Sequence, residues 1–165
     1  MLRECVLIQT LITLANLAQN KTVSIKVRMV DLLSVHATAN SYMFLCDQTT
    51  EAECLQKWIV GTTQLNAIWC MEIQPGDDIY LFNFNTGVVR GPFAAISRAD
   101  CHEPTAWGGQ FPVQIRIAKT AMTKQADNRA ANAPSILKKK RPSGKLGKAG
   151  VELFGWLQEV GTNIA

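Results

Sequence analysis

The run Ile79-Tyr80-Leu81-Phe82-Asn83-Phe84-Asn85-Thr86-Gly87-Val88-Val89-Arg90-Gly91-Pro92-Phe93-Ala94-Ala95-Ile96-Ser97 decides the class of this fold. Two stretches rich in β-branched and aromatic residues flank Asn85-Thr86-Gly87, a turn signal, so the run reads as a β-hairpin. Gly91-Pro92 inside the second strand predicts a bulge or bend, because proline has no amide hydrogen to give to a sheet ladder. Just upstream, Gln74-Pro75-Gly76-Asp77-Asp78 is a turn, since proline presets φ and glycine permits positive φ.

Working outward, Tyr42-Met43-Phe44-Leu45-Cys46 reads as a buried strand. Asp47, Thr49 or Thr50 offers a helix cap, and Thr50 with Glu53 fits a capping box opening a helix through about Ile59 that ends at Gly61. Ile68-Trp69-Cys70-Met71-Glu72-Ile73 is expected as a further strand, Arg98 to Gln110 as a loop, and Phe111 to Ile117 as the last clear strand. Several short strands with one early helix predict an α+β fold built on a small, bent β-barrel.

The chain has 165 residues and is 47% hydrophobic, enough for one core without a metal or disulfide staple. Five scattered cysteines, no C-x-x-C pair and two histidines argue against a structural zinc site and a secreted disulfide framework, and favour a reducing, intracellular compartment. No cofactor or metal is expected.

The net charge of +4 conceals a division. Lys119 to Lys148 carries nine basic residues against one acidic, net +8, while the rest of the chain carries eight basic and twelve acidic, net −4. The segment 119–148 reads as a flexible basic linker without aromatics. Beyond it, Val151, Leu153, Phe154, Trp156, Leu157 and Val160 form an amphipathic helix that must dock on the domain or on a partner. At the other end, residues 1 to 19 are apolar but interrupted, too short to span a membrane, and read as a helix packed on the domain. The rival reading is a signal peptide with Arg3 as its n-region and a poor cleavage site at Ala15 to Ala18. Alternation from Thr22 to Met29 predicts a strand. The expected organisation is therefore 1–40 packed on or completing the barrel, 41–118 as core, 119–148 as linker and 149–165 as the terminal helix.

The segment from Tyr42 to Ile117 resembles the plant Development and Cell Death (DCD) domain. The matching pieces are Tyr42 to Cys46, Thr50-Glu51-Ala52-Glu53-Cys54, Gly61, Ile73-Gln74-Pro75-Gly76, Ile79 to Phe84 and Arg90 to Ser97. The most specific is Glu103-Pro104-Thr105-Ala106-Trp107-Gly108-Gly109-Gln110-Phe111-Pro112-Val113-Gln114-Ile115-Arg116. The resemblance implies a PUA-like bent barrel related to EVE and YTH domains, several of which bind modified bases in RNA or DNA. Arg98 to His102 replaces a Gly-rich stretch of the plant pattern, which weakens transfer of ligand specificity. No defined activity comes with the family.

Nucleic-acid binding needs cations for phosphates and aromatic faces for bases. Lys138, Lys139, Lys140 and Arg141 supply the first, with a solvated tail as the bland alternative. For stacking, the candidates are Trp107 in its glycine-flanked loop, Trp58 near the end of the early helix, and Trp69. Asn83, Ser97, Arg98 and Asp47 are the polar groups that could read a base edge. Each aromatic is ordinarily a core residue. Cys101-His102-Glu103 lists a nucleophile, a base and a carboxylate, but sequence neighbours on an extended loop point apart. The expectation is a non-enzymatic nucleic-acid-binding module for RNA or DNA, with a modified base as its finer form. The alternative is a protein-interaction or stress-response adaptor whose partner docks on 151–160.

Overall fold

The computed structural model describes residues 40–164. The helix and strand expected between residues 1 and 29 lie outside the described residues.

Strand β1 (Ser41–Cys46) is followed by helix α1 (Gln48–Lys57), strand β2 (Ile59–Thr62) and a 3-10 turn (Gln64–Asn66) leading into the short helix α2 (Ala67–Cys70). The predicted hairpin is β3 (Asp78–Asn83) and β4 (Val88–Ala95), and a long β5 covers Val113–Asp127. A two-residue β6 (Gly144–Lys145), helix α3 (Lys148–Val160) and a two-residue β7 (Thr162–Asn163) complete the described chain. The strands form one curled sheet in the order β2-β5-β4-β3-β1-β6, with β7 on the far half of β5. All pairings are antiparallel except β1 with β3, which run parallel in register Tyr42 to Ile79 through Cys46 to Asn83.

Both faces of β1 and β3 are covered, which explains their unbroken apolar runs. Tyr42, Phe44, Cys46, Ile79 and Leu81 face one core with Ile59, Val60, Phe93, Ile115 and Ile117. Met43, Tyr80 and Phe82 face a second core, closed by Ile136, Leu137, Leu146 and the Leu153, Trp156 and Leu157 stripe of α3. The bulge expected at Gly91-Pro92 is present as a register shift, between Gly91 and Phe93 against β5 and between Ile79 and Leu81 against β3, and switches β4 from the second core at Val89 to the first at Phe93. A side chain at Gly91 would strike Tyr80 Cδ1 at 2.7 Å. On the neighbouring strand, Thr123 Oγ1 donates to Pro92 O at 2.7 Å.

Three local expectations are corrected. The capping box is set by Asp47, whose carboxylate accepts from the amides of Thr49 and Thr50 while Thr50 Oγ1 accepts from the Asp47 amide; it is one turn earlier than the Thr50 and Glu53 pair. The helix ends at Trp58 in the left-handed region (φ 52°), because Ile59 and Val60 are recruited into a buried strand paired with Arg116 and Ile115. Ile68 to Ile73 is not a strand: α2 and a turn occupy it, short apolar runs being ambiguous by periodicity alone.

The boundary expected at Ala118 falls inside β5, and the linker expected over 119–148 is folded. Lys119–Asp127 pairs with β4 and β7, Gly144–Lys145 pairs with β1, and Ile136, Leu137 and Leu146 plug the second core. Backbone pairing is indifferent to the polar composition that suggested disorder, and the apolar pair Ile136-Leu137 together with Leu146 anchors the remainder. The terminal helix docks on the sheet, Trp156 Nε1 donating to Ala131 O at 2.9 Å. Phe154 and Trp156, which the adaptor alternative would present to a partner, are buried within the chain.

Candidate ligand cleft at the open seam of the sheet

β2 pairs only with β5, and β6 covers β1 only at Tyr42 and Met43, so the end of β1 and the outer edge of β2 face each other without a shared ladder. A cleft of about 270 Å³ opens at this seam. Phe44, Leu45, Cys46 and Asp47 line it from β1 and the start of α1, and Gly61, Thr62 and Thr63 from β2. Asn66 and Trp69 of the 3-10 turn and α2, then Phe84, Phe111, Arg141 and Ser143 complete the wall. The volume lies just below the range of about 300–1,000 Å³ typical of drug-sized ligands, which suits a group the size of one base.

The aromatic surface is preorganised. Tyr42 stacks on Trp69 (centroids 6.2 Å apart, planes 14° apart), and Phe44 meets the same indole edge-on at 4.9 Å. Behind β2, Trp107 and Phe111 pack edge to face at 5.5 Å. Trp107 is only 8% exposed, its Nε1 donates to Thr50 O at 3.2 Å, and its amide donates to Glu53 Oε2 at 2.9 Å. Its backbone sits at φ 50°, between Ala106 and two glycines at positive φ.

The polar rim carries one acid and one base. Asp47 Oδ1 accepts from the amides and hydroxyls of both Thr49 and Thr50 at 2.7 to 2.9 Å. These bonds, the Thr49 hydroxyl foremost, hold the Asp47 carboxyl down to about 2. Asn66 Nδ2 donates to Thr62 Oγ1 at 3.1 Å.

Of the residues singled out from sequence, the cleft brings together Asp47 and Arg141, and from the wider set Trp69. Lys138, Lys139 and Lys140 are exposed on the loop that leads to Arg141. Trp107 packs behind Gly61, outside the cleft lining, and is not the exposed loop ring that was expected. Trp58 is 39% exposed but packs edge-on against Phe93, away from the cleft lining. Asn83 is fully buried: its Nδ2 donates to Glu51 Oε2 at 3.0 Å, and its Oδ1 accepts from the amides of Asn85 and Thr86. Ser97 and Arg98 lie on another loop, where Ser97 Oγ accepts from the Arg116 amide and meets His102 Nε2 at 2.8 Å. Cys101, His102 and Glu103 do not converge: His102 Nε2 lies 3.1 Å from Arg98 O, while Glu103 Oε1 pairs with Arg116. Among the described residues no group of three or more His, Cys, Asp or Glu is placed to hold a metal.

Sequence reasoning passed over Phe84, Phe111, Thr62, Thr63, Asn66 and Ser143. The signal that could have found some of them was Gly61, a glycine followed by two threonines at the exit of a capped helix.

The described residues thus form a curled half-barrel sheet of mixed α+β type with a cleft of base-like size at its open seam. The chain belongs to the Development and cell death domain family, whose family model matches residues 40–133. It is 31% identical over 93 residues to the DCD domain-containing protein NRP-A of Glycine max, covering 52% of this chain and 25% of that protein. It is 30% identical over 88 residues to the B2 protein of Daucus carota, covering 48% of this chain and 42% of that protein. The match thus spans less than half the length of either relative. Among solved structures, the Mmi1 YTH domain superposes with a TM-score of 0.58 at 14% identity, covering 73% of this chain and 96% of that domain. The YTH domain of Zygosaccharomyces rouxii MRB1, solved in complex with N6-methyladenosine RNA, gives 0.56 at 13% identity, covering 77% and 91%. At these identities the superpositions establish the fold. No helix of the described residues is long and apolar enough to cross a membrane.

Proposed function

We propose that this domain is a non-enzymatic nucleic-acid-binding module in which the seam cleft takes one base and the Lys138 to Arg141 loop takes phosphates. One observation carries the reading: Arg141 and Ser143, at the end of the most cationic run in the chain, line the same cleft as the Trp69 indole. Stacking surface and phosphate-binding charge are thereby adjacent, as single-strand recognition requires. The YTH structures in complex with RNA, one of them N6-methyladenosine RNA, support the same ligand class for the same fold. The finer form of the proposal is a modified base. A cleft walled by Trp69, Phe44, Phe84 and Phe111 offers an apolar lining to a methyl group, while Thr62, Thr63 and Asn66 offer hydrogen bonds to a base edge.

Fluorescence anisotropy against single-stranded RNA, single-stranded DNA and duplex, at low and high salt, tests it. Replacing Lys138 to Arg141 with neutral residues is expected to weaken all ligands alike and flatten the salt dependence, whereas Trp69→Ala is expected to reduce discrimination between methylated and unmethylated strands. Absence of binding by the wild type to every ligand would overturn the proposal, and equal loss of affinity and discrimination in both variants would overturn the division of labour.

A further inference from the structure

The 3-10 turn and α2 that supply Asn66 and Trp69 to the cleft present a different chemistry outward. Leu65 is 91% exposed and Ile68 82% exposed, the two most exposed large apolar side chains among the described residues. A single exposed leucine is unremarkable, and burial normally removes such surface from water. Here two stand three residues apart in one short segment, so they share a face, and each immediately precedes a cleft-lining residue, Asn66 and Trp69. Arg141, at the end of the exposed Lys138 to Lys140 run, lines the same cleft as Asn66 and Trp69. An occupant that satisfies both features must offer anionic groups and apolar faces at short, regular spacing.

We infer that the strand entering the cleft is unpaired, and that the nucleotide next to the one in the cleft lays its base or sugar on Leu65 and Ile68. The inference rests on the nucleic-acid reading above and adds the strandedness of the ligand and the residues that enforce it. A single strand presents base faces and phosphates together and satisfies the apolar rim and the cationic loop at once. A duplex keeps its base faces stacked internally and offers mainly phosphates to this surface, leaving Leu65 and Ile68 in water. The rim thus favours single strands by an apolar contact that salt does not screen.

The test uses the full chain and the double variant Leu65→Ser plus Ile68→Ser, which places hydroxyls at positions already in solvent and so spares the fold. A short labelled single-stranded RNA, the same sequence as duplex, and a free nucleoside are titrated at two salt concentrations. The wild type is expected to favour the single strand over the duplex. The variant is expected to lose about tenfold toward the single strand, the scale of losing part of the apolar burial of two aliphatic side chains. Its salt dependence and its affinity for the nucleoside should be unchanged. Single-strand affinity unaltered by the variant, or duplex bound as tightly as single strand, overturns the inference while leaving the cleft reading standing. No binding of RNA by the wild type removes both. A concentration-dependent dimer that the double variant abolishes would give this face to a second copy of the chain and also overturn the inference.

Discussion

A methyl group added to Gly61 would lie 2.6 Å from Cζ3 of Trp107 and 3.0 Å from Cβ of Phe111. The glycine is there for space, since β2 must pass directly over the indole that backs the seam cleft. Gly61→Ala is expected to cost about 1–3 kcal/mol as the ring is forced off its bond to Thr50 O, and to reshape the cleft. Urea unfolding at constant m-value measures the first effect, and the RNA titration the second.

Glu51 of α1 pairs with Arg90 of β4 in a half-buried site and accepts from Asn83 Nδ2 of β3. This network ties the helix that begins at the cleft to the centre of the sheet. Removing one partner strands the other charge, so Arg90→Ala is expected to cost about 2 kcal/mol, below the 3–5 of a fully buried pair. A double-mutant cycle with Glu51→Ala should return a coupling energy well above the noise of about 0.5 kcal/mol.

Asp47 carries a pH dependence of definite sign. Its hydrogen bonds favour the charged form and hold the folded-state pKa at about 2. The stabilisation is therefore complete above the usual carboxylate range and is lost as pH falls from about 4 toward about 2. Asp127, held down to about 2 chiefly by Arg129, titrates in the same window. Asp47→Asn should keep a competent cap while flattening part of the acid slope, and Asp47→Ala should cost about 1 kcal/mol at neutral pH. Urea midpoints between pH 2 and 7 distinguish these cases.

The cysteines should separate by reactivity. Burial pushes the thiols of Cys54 and Cys70 up to about 12, and burial, with Cys54 and Glu51 adding to it, raises Cys46 as well. Cys101 is exposed. Native alkylation near pH 8, read by peptide mapping, should label Cys101 while sparing Cys46, Cys54 and Cys70 until denaturant is added.

The family match ends at residue 133, but the folded unit does not. A chain stopped there loses Ile136, Leu137, Leu146, Leu153, Trp156 and Leu157, leaving Met43, Tyr80, Phe82 and Val89 uncovered on one face of the sheet. It is expected to aggregate and to lose cooperative unfolding, checked by solubility and near-ultraviolet circular dichroism.

The hairpin around Asn85 to Gly87, the buried strand at Tyr42 and the bulge at Gly91-Pro92 were legible because each depends on local chemistry: branched and aromatic residues, turn formers, and a missing amide hydrogen. The same local reading misplaced the capping box by one turn, since Asp47, Thr49 and Thr50 are all competent caps and only the contacts around them select one. It mistook Ile68 to Ile73 for a strand because a short apolar run has no period that separates strand from helix. It took Lys119 to Asp127 for linker because pairing to β4 and β7 uses the backbone, which composition does not report.

For the site, amino-acid chemistry alone determined which residue types could meet a nucleic acid, and it nominated Asp47, Arg141 and Trp69 among many. Tertiary structure decided which of them share a cleft. Trp107 and Asn83 were claimed by internal hydrogen bonds, Trp58 was turned onto Phe93, and Arg141 was carried to the seam by β6 pairing with β1. Those outcomes depend on contacts between residues tens of positions apart, and such contacts exist only once the sheet has curled.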